Sequence, residues 1–238
     1  MPRENTKIAI RALNSLYEVV MDIYKNTDEN APRNDYNLIK NQVHEQAITH
    51  RIAHYLENKL GLFLENNNLS IDCEYNKAFK LNTNTTATEN TSNKKIITVN
   101  TNFCEGCISK QEICNGKNYF IPDIILHTRG TDDNNILTIE CKRKQTIDNK
   151  DVKFDFKKLK AFTCDNGNFK YKIGLSIVFN KQHPILTYFL KETIFDEIKD
   201  LLEKQNSKNY KIRIYDNEDN KAKPIKDYIK YRAFNSEE

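Results

Sequence analysis

Three charged residues interrupt two apolar segments in the middle of the chain. Asp123 lies in the segment Ile121–His127, and Glu140 and Lys142 lie in and directly after the segment Ile136–Cys141. Two apolar runs separated by a short polar stretch are typical of a β-hairpin. Side chains two residues apart on a strand point to the same face, so Glu140 and Lys142 project together, and the natural hairpin register places Asp123 beside Glu140. Buried charges need partners or a metal, so this convergence predicts a functional site.

The same residues carry a resemblance to a known family. Pro122-Asp123, followed after a hairpin by Glu140-Cys141-Lys142, resembles the PD-(D/E)xK nuclease motif. The expected order of strand, turn, strand, amphipathic helix and strand agrees with that motif. Beyond the motif, the chain resembles a bacterial subgroup of restriction-endonuclease-like proteins from about Glu45 to Phe179. The matching pieces are EQAITHR at 45–51, DCEYN at 72–76, DNN at 133–135 and DFKKL at 155–159.

The resemblance implies a fold, a reaction and a set of site residues. The fold would be α/β, a restriction-endonuclease-like core in the order α-β-β-β-α-β, with a small mixed sheet of about four core strands flanked by helices. Asp123, Glu140 and the backbone carbonyl of Cys141 would hold Mg²⁺ or Mn²⁺. The metal would polarise a phosphodiester and activate water, while Lys142 would position that water or stabilise charge on the phosphate. The implied activity is a divalent-metal-dependent nuclease that acts on DNA rather than RNA, in restriction or anti-phage defence.

A further carboxylate precedes the hairpin. The spacing of apolar residues predicts a helix over about Val43–Leu60, and Glu45 lies at the inward end of its apolar stripe. The resemblance implies that Glu45 joins the catalytic site. The alternative is a first-turn acid that is favoured by the helix dipole alone.

A lysine-rich helix is expected after the hairpin, over Asp151–Cys164. Lys157, Lys158 and Lys160 on this helix could bind substrate phosphates or reach the site, and the family pattern singles out Lys158. A solvated basic face is the competing interpretation. The remaining expected elements are a helix at Lys7–Tyr24 that packs on the body, strands at Leu69–Asn76, Tyr171–Phe179 and Tyr210–Tyr215, and a helix at about Phe189–Lys204.

The chain is expected to comprise an N-terminal helix and linker, residues 1–40, and a nuclease-like domain, residues 41–238. An insertion at about 78–118 contains Cys104, Cys107 and Cys114 with C-x2-C-x6-C spacing. Such clustered thiols favour a structural Zn²⁺ site, with Cys73 as the best candidate for the fourth ligand and His127 as the second. An iron–sulfur centre or three ordinary reduced cysteines are the alternatives.

Composition narrows the functional classes. The chain has 238 residues, a formal net charge of +4 and 29% charged residues, which permits a nucleic-acid partner. It has no apolar run near the roughly 18 residues of a membrane span, and no signal-peptide core at its start. We therefore expect a cytoplasmic protein whose six cysteines are reduced thiols or metal ligands rather than disulfides. Only 6 glycines are present, and none forms a dinucleotide-binding or phosphate-binding loop.

Two other functions remain open on the sequence. The chain could be a nuclease-like module, stabilised by a structural zinc site, that has no nuclease activity. It would bind nucleic acid, a protein partner or a second copy of itself. It could also be an interaction protein organised around the cysteine insertion. The intact set of Asp123, Glu140 and Lys142 argues for the enzyme, because a non-catalytic fold does not need all three.

Overall fold

The computed structural model describes residues 4–25, 35–41, 44–73, 97–98, 119–132, 134–143, 150–165, 169–206 and 210–235. These residues form an α/β fold in which helices flank a seven-stranded mixed sheet. The helices are α1 (Glu4–Lys25), α2 (Tyr36–Lys40), α3 (Glu45–Asn66), α4 (Lys150–Thr163), α5 (Glu192–Asn206) and α6 (Ile225–Asn235). The strands are β1 (Ser70–Cys73), β2 (Ile97–Thr98), β3 (Tyr119–Phe120), β4 (Ile124–His127), β5 (Leu137–Arg143), β6 (Ile173–Phe179), β7 (Ile185–Leu190), β8 (Lys211–Asp216) and β9 (Lys221–Pro224).

The sheet has the strand order β1-β4-β5-β6-β7-β8-β9, and β2 and β3 form a separate two-stranded pair. The β4–β5 hairpin is antiparallel, with Leu126 opposite Leu137 and Ile124 opposite Ile139. Strand β6 runs parallel to β5, and α4 makes the crossover between them. Parallel neighbours need such a crossover, because a tight turn can join only antiparallel strands.

The two faces of the sheet are covered by different helices. Helices α1, α3 and α5 share the main apolar core with alternate residues of β5 and β6, such as Ile139 and Ile177. Helix α4 covers the other face, where Phe156 and Leu159 pack on Val178 of β6. The apolar residues of β6 therefore face a core on both sides, which explains its nearly continuous apolar sequence.

The structure agrees with the expected α/β class, the mixed sheet and the flanking helices, but the sheet is larger than expected. We expected about four core strands, and the sheet has seven. The expected helix at Phe189–Lys204 is wrong at its start, because Ile185–Leu190 forms β7 and the helix begins at Glu192. The segment ILTYFL is short and rich in β-branched and aromatic residues, so it suits a strand between β6 and β8. The sequence also missed β9 and α6.

The N-terminal helix packs on the body of the protein, as expected. Leu13, Leu16, Val20 and Ile23 of α1 have no exposed surface and belong to the main core. The Tyr17 hydroxyl also lies 2.5 Å from the Tyr188 hydroxyl of β7. None of the helices in the described ranges is both long enough and apolar enough to cross a membrane.

Candidate functional site

The hairpin brings Asp123 and Glu140 together, as the strand periodicity predicts. Continuing the β4–β5 register by one residue places Asp123 opposite Glu140. The Asp123 Oδ2 atom accepts a hydrogen bond of 2.7 Å from the backbone N–H of Cys141. The carboxylate therefore takes the place of a backbone carbonyl just beyond the last β4–β5 pair. The N–H and C=O of one strand residue point to the same side. The carbonyl of Cys141 therefore also faces Asp123.

Glu140 is fully buried on the face of the sheet that α4 covers. Its Oε2 atom accepts a hydrogen bond of 2.6 Å from Lys158 Nζ, whereas its Oε1 atom has no hydrogen-bond partner among the described residues. Burial raises the pKa of Glu140 well above its ordinary value, the Lys158 charge opposes that rise, and the Asp123 charge adds to it. Burial also raises the pKa of Asp123.

Lys142 and Glu45 meet at the end of β5. The Lys142 Nζ atom lies 2.7 Å from Glu45 Oε1, and Glu45 Oε2 accepts a hydrogen bond of 3.2 Å from the Arg143 backbone N–H. The His44 ring caps α3 by accepting from the backbone N–H of Gln46, which fixes Glu45 as the first residue of the helix. Glu45 therefore stands in the first helical turn and also contacts Lys142, and its catalytic role stays a prediction.

Helix α4 adds a carboxylate, Asp155, which begins the segment DFKKL and for which no role was predicted. Asp155 is buried, with Oδ1 at 2.9 Å from Lys158 Nζ and Oδ2 at 3.3 Å from Lys142 Nζ. It therefore bridges the two lysines. One signal could have revealed it: Asp155 lies three residues after Val152 and four before Leu159, so it occupies the buried stripe of α4.

The described residues also show where the proposed nucleic-acid-binding lysines lie. Lys158, for which both a phosphate-binding role and a role in the site were open, points inward to Glu140 and Asp155. Lys160 Nζ donates to Asn220 Oδ1 at 2.8 Å, in the turn between β8 and β9. Lys157 is half-buried.

The resulting cluster alternates in charge, from Glu45 to Lys142, Asp155, Lys158 and Glu140, with Asp123 beside the last. The pKa of both lysines is raised: burial lowers it, but the surrounding carboxylates more than compensate. Both ammonium groups are therefore charged at neutral pH. When all four carboxylates are ionised, they exceed the two ammonium groups by two formal negative charges.

The donors of this cluster fit a hard divalent cation. Asp123 and Glu140 offer carboxylate oxygens, one of them the buried Oε1 of Glu140, which accepts no hydrogen bond from the described residues. In the described part of the chain, however, no three His, Cys, Asp or Glu side chains are grouped closely enough to hold a metal ion. Lys142 lies between Glu45 and Asp155, and Lys158 lies between Asp155 and Glu140. Among the described residues, the candidates for a third ligand are the Cys141 carbonyl and Glu45, which would first have to leave Lys142.

The expected zinc site falls mainly outside the described residues. Cys104, Cys107 and Cys114 are not among them, so the zinc ligands stay a prediction. Cys73 is exposed at the end of β1 and forms no disulfide. Cys141 is buried on the face of β5 opposite Glu140. Cys164 is disulfide-bonded, contrary to the expectation of reduced thiols.

The function of the site must be inferred from its own residues, because the chain has no match among known proteins. No family model, no curated protein and no solved structure matches the chain.

Proposed function

We propose that this protein is a divalent-metal-dependent nuclease of the PD-(D/E)xK type, which hydrolyses phosphodiester bonds, with DNA as the expected substrate. The motif residues Asp123, Glu140 and Lys142 support the proposal by their order in the chain and by their meeting in one corner with Glu45. The resemblance supplies the reaction class, since carboxylates and a lysine alone suit several hydrolytic reactions.

The observation that carries the proposal is the charge of this corner. Ionisation of all four carboxylates would leave two negative charges in excess of the lysines, and burial, which raises the pKa of both Asp123 and Glu140, opposes that ionisation. The protein therefore bears an electrostatic cost that a bound divalent cation would relieve. A site that needs such a cation, and that keeps an ammonium group at its rim, suits a reaction at an anionic phosphodiester.

When bound, Mg²⁺ or Mn²⁺ would supply a Lewis acid for the phosphate and lower the pKa of a coordinated water. Asp123 and Glu140 would hold it, and Lys158 and Asp155 keep Glu140 from turning away. The Lys142 side chain is 18% exposed, so its ammonium group can contact a substrate phosphate. Glu45 and Asp155 orient that group from both sides.

The test compares cleavage of plasmid, linear duplex DNA, single-stranded DNA and RNA in Mg²⁺, Mn²⁺ or EDTA. We expect metal-dependent cleavage by the parent protein, and a loss of at least about a hundredfold in Asp123→Ala, Glu140→Ala and Lys142→Ala. Calorimetry should separate their roles. The two carboxylate variants should lose Mn²⁺ affinity, whereas Lys142→Ala should keep it, because lysine is not a ligand.

Cys141→Ala is the matched control, because its side chain lies on the opposite face of the same strand. It should retain most of the activity. A parent protein that binds nucleic acid but never cuts it in either metal would overturn the nuclease and favour the non-catalytic binding module. Normal cleavage by Lys142→Ala would overturn the assigned site.

A further inference from the structure

A basic cleft lies on the same edge of the sheet as the candidate site. Arg143, the last residue of β5, is paired with Phe179, the last residue of β6. The loop 180–184 follows directly, and its last residue accepts a hydrogen bond of 3.2 Å from the backbone N–H of Lys211 at the start of β8. Among the described residues, Arg143, the loop 180–184 and Lys211 therefore lie at the same end of the sheet.

The cleft has a volume of about 280 Å³ and is lined by Asn180, Lys181, Gln182, His183 and Lys211. Lys181, His183 and Lys211 are exposed. No ion pair among the described residues involves any of these three. Among the described residues, no carboxylate forms an ion pair with Lys181 or Lys211, in contrast to Lys142 and Lys158, so these two exposed ammonium groups can bind an anion.

Side chains of α1 and α2 hold the backbone of the loop that carries Lys181 and His183. The Tyr24 hydroxyl of α1 donates to the Asn180 carbonyl at 2.7 Å, and the Tyr36 hydroxyl of α2 donates to the Lys181 carbonyl at 3.2 Å. The Tyr24 ring also stacks on Phe179. These contacts fix the loop backbone before any ligand binds, which lowers the entropic cost of binding.

The distance between the cleft and the candidate site suits a nucleic-acid strand. Neighbouring strands of a sheet lie about 4.8 Å apart, so β5 and β8 are separated by about 14 Å. One strand of a duplex rises about 3.4 Å per nucleotide, so this separation corresponds to about four steps along the backbone. A strand that passes the candidate site along this edge would reach the cleft.

We propose that Lys181, His183 and Lys211 bind the phosphodiester backbone of the nucleic acid, about four nucleotides from the phosphate held at Asp123 and Glu140. The position of the scissile phosphate rests on the proposed function. The anchoring contact does not depend on it, because the exposed ammonium groups of Lys181 and Lys211 attract a polyanion whether or not it is cut. Phosphate contacts of this kind fix the position of the backbone and do not read its sequence.

The experiment measures binding of labelled duplex DNA, single-stranded DNA and RNA by fluorescence anisotropy, in EDTA and over a series of KCl concentrations. In Lys181→Gln/Lys211→Gln, we expect Kd to rise about tenfold at moderate salt, and the slope of log K against log salt to fall by about 2, since each lost phosphate contact removes about 0.9.

Lys7→Gln/Arg11→Gln is the matched control. It lowers the formal net charge of +4 by the same two units, and both side chains are exposed. Arg11 lies about 20 Å along α1 from Tyr24, away from the cleft. This variant should leave Kd within about twofold and the salt slope unchanged.

A loss of affinity specific to the cleft variant supports the anchor, and the nucleic acid most affected identifies the form of backbone that it holds. Equal effects of the two double variants, or no effect on any of the three nucleic acids, would overturn it. Cleavage assays in Mn²⁺ keep the two proposals apart. A parent that cuts while the cleft variant binds normally refutes only the anchor, and a parent that never cuts while the cleft variant loses binding refutes only the nuclease.

Discussion

Asp123 and Glu140 are carboxylates in surroundings that favour their neutral forms. Burial raises the pKa of both, and the Lys158 charge only partly opposes that rise. At neutral pH the ionised Asp123 therefore costs folding free energy, even though its Oδ2 atom accepts the hydrogen bond from Cys141. Functional sites commonly carry such costs, because their side chains are arranged for a ligand rather than for stability.

The substitution Asp123→Asn tests this cost. Below the ordinary carboxyl pKa of 3.8, Asp123 is protonated in both the folded and the unfolded chain, so its raised pKa has no effect. As the pH rises through 3.8, Asp123 ionises first in the unfolded chain. The resulting loss in the free energy of unfolding grows until the pH passes the pKa of Asp123 in the folded protein. Each unit of that rise is worth about 1.4 kcal/mol.

The amide that Asp123→Asn introduces would stay neutral at every pH, and its oxygen could still accept from Cys141. We therefore expect urea unfolding to show that the variant is more stable than the parent at neutral pH, with the gain vanishing towards pH 3.8. Asp200→Asn, at an exposed position, should change stability by less than about 0.5 kcal/mol at any pH. A less stable Asp123→Asn protein at neutral pH would contradict the raised pKa.

Among the elements, α4 decides how the site is assembled, because it carries both Asp155 and Lys158. It can approach the sheet closely at Gly174 of β6, where the absence of a side chain leaves room for Thr163 and Leu159. A Cβ atom at Gly174 would lie 2.9 Å from Thr163 Cγ2 and 3.1 Å from Phe189 Cβ. The glycine is thus needed for packing and not for an unusual backbone conformation.

We expect Gly174→Ala to lower the free energy of unfolding by about 1–3 kcal/mol, the usual cost of overpacking a core. Thr163→Ser removes the methyl group at the closest contact but keeps the hydroxyl that donates to the Leu159 carbonyl. The double variant Thr163→Ser/Gly174→Ala should therefore recover part of the loss in denaturant unfolding. If the double variant is no more stable than Gly174→Ala alone, the close contact between α4 and β6 is not the cause of the lost stability.

For the whole molecule, the N-terminal helix belongs to the same core as the sheet that carries the site. Leu13, Leu16, Val20 and Ile23 are fully buried. Burying side chains of this size contributes about 1.5–3 kcal/mol each, and their sum is comparable with the total stability of about 5–15 kcal/mol that a domain usually has. The helix also supplies Tyr24, which holds the loop of the basic cleft.

Deletion of residues 1–34 should therefore abolish cooperative unfolding, as followed by near-UV circular dichroism and thermal denaturation. The milder variant Leu16→Ala should lower the free energy of unfolding by about 2–5 kcal/mol and keep a single transition. A truncated protein that unfolds cooperatively would show that residues 35–238 fold independently of α1.

Local sequence patterns predicted several parts of the fold because they depend on one strand or helix at a time. The two-residue period of β5 places Glu140 and Lys142 on one face and Cys141 on the other, and the hairpin register sets Asp123 opposite Glu140. The helix near Glu45 and the buried strand β6 followed from the same kind of periodicity. The segment Ile185–Leu190 did not, because a short apolar run fits either a helix or a strand until its neighbours β6 and β8 are known.

The sequence by itself therefore determined which residues of the hairpin share a face, since that depends only on backbone geometry. The tertiary structure decided what those residues meet. Asp155 could have been a tolerated acid on a helix and Lys158 a surface lysine, but the packing of α4 on β5 turns both into the site. Likewise, only the order of the strands places Lys181 and Lys211 on the same edge as Arg143, although they are far apart in the chain. Long-range packing of this kind arises from contacts among several elements, and no local period in the sequence encodes it.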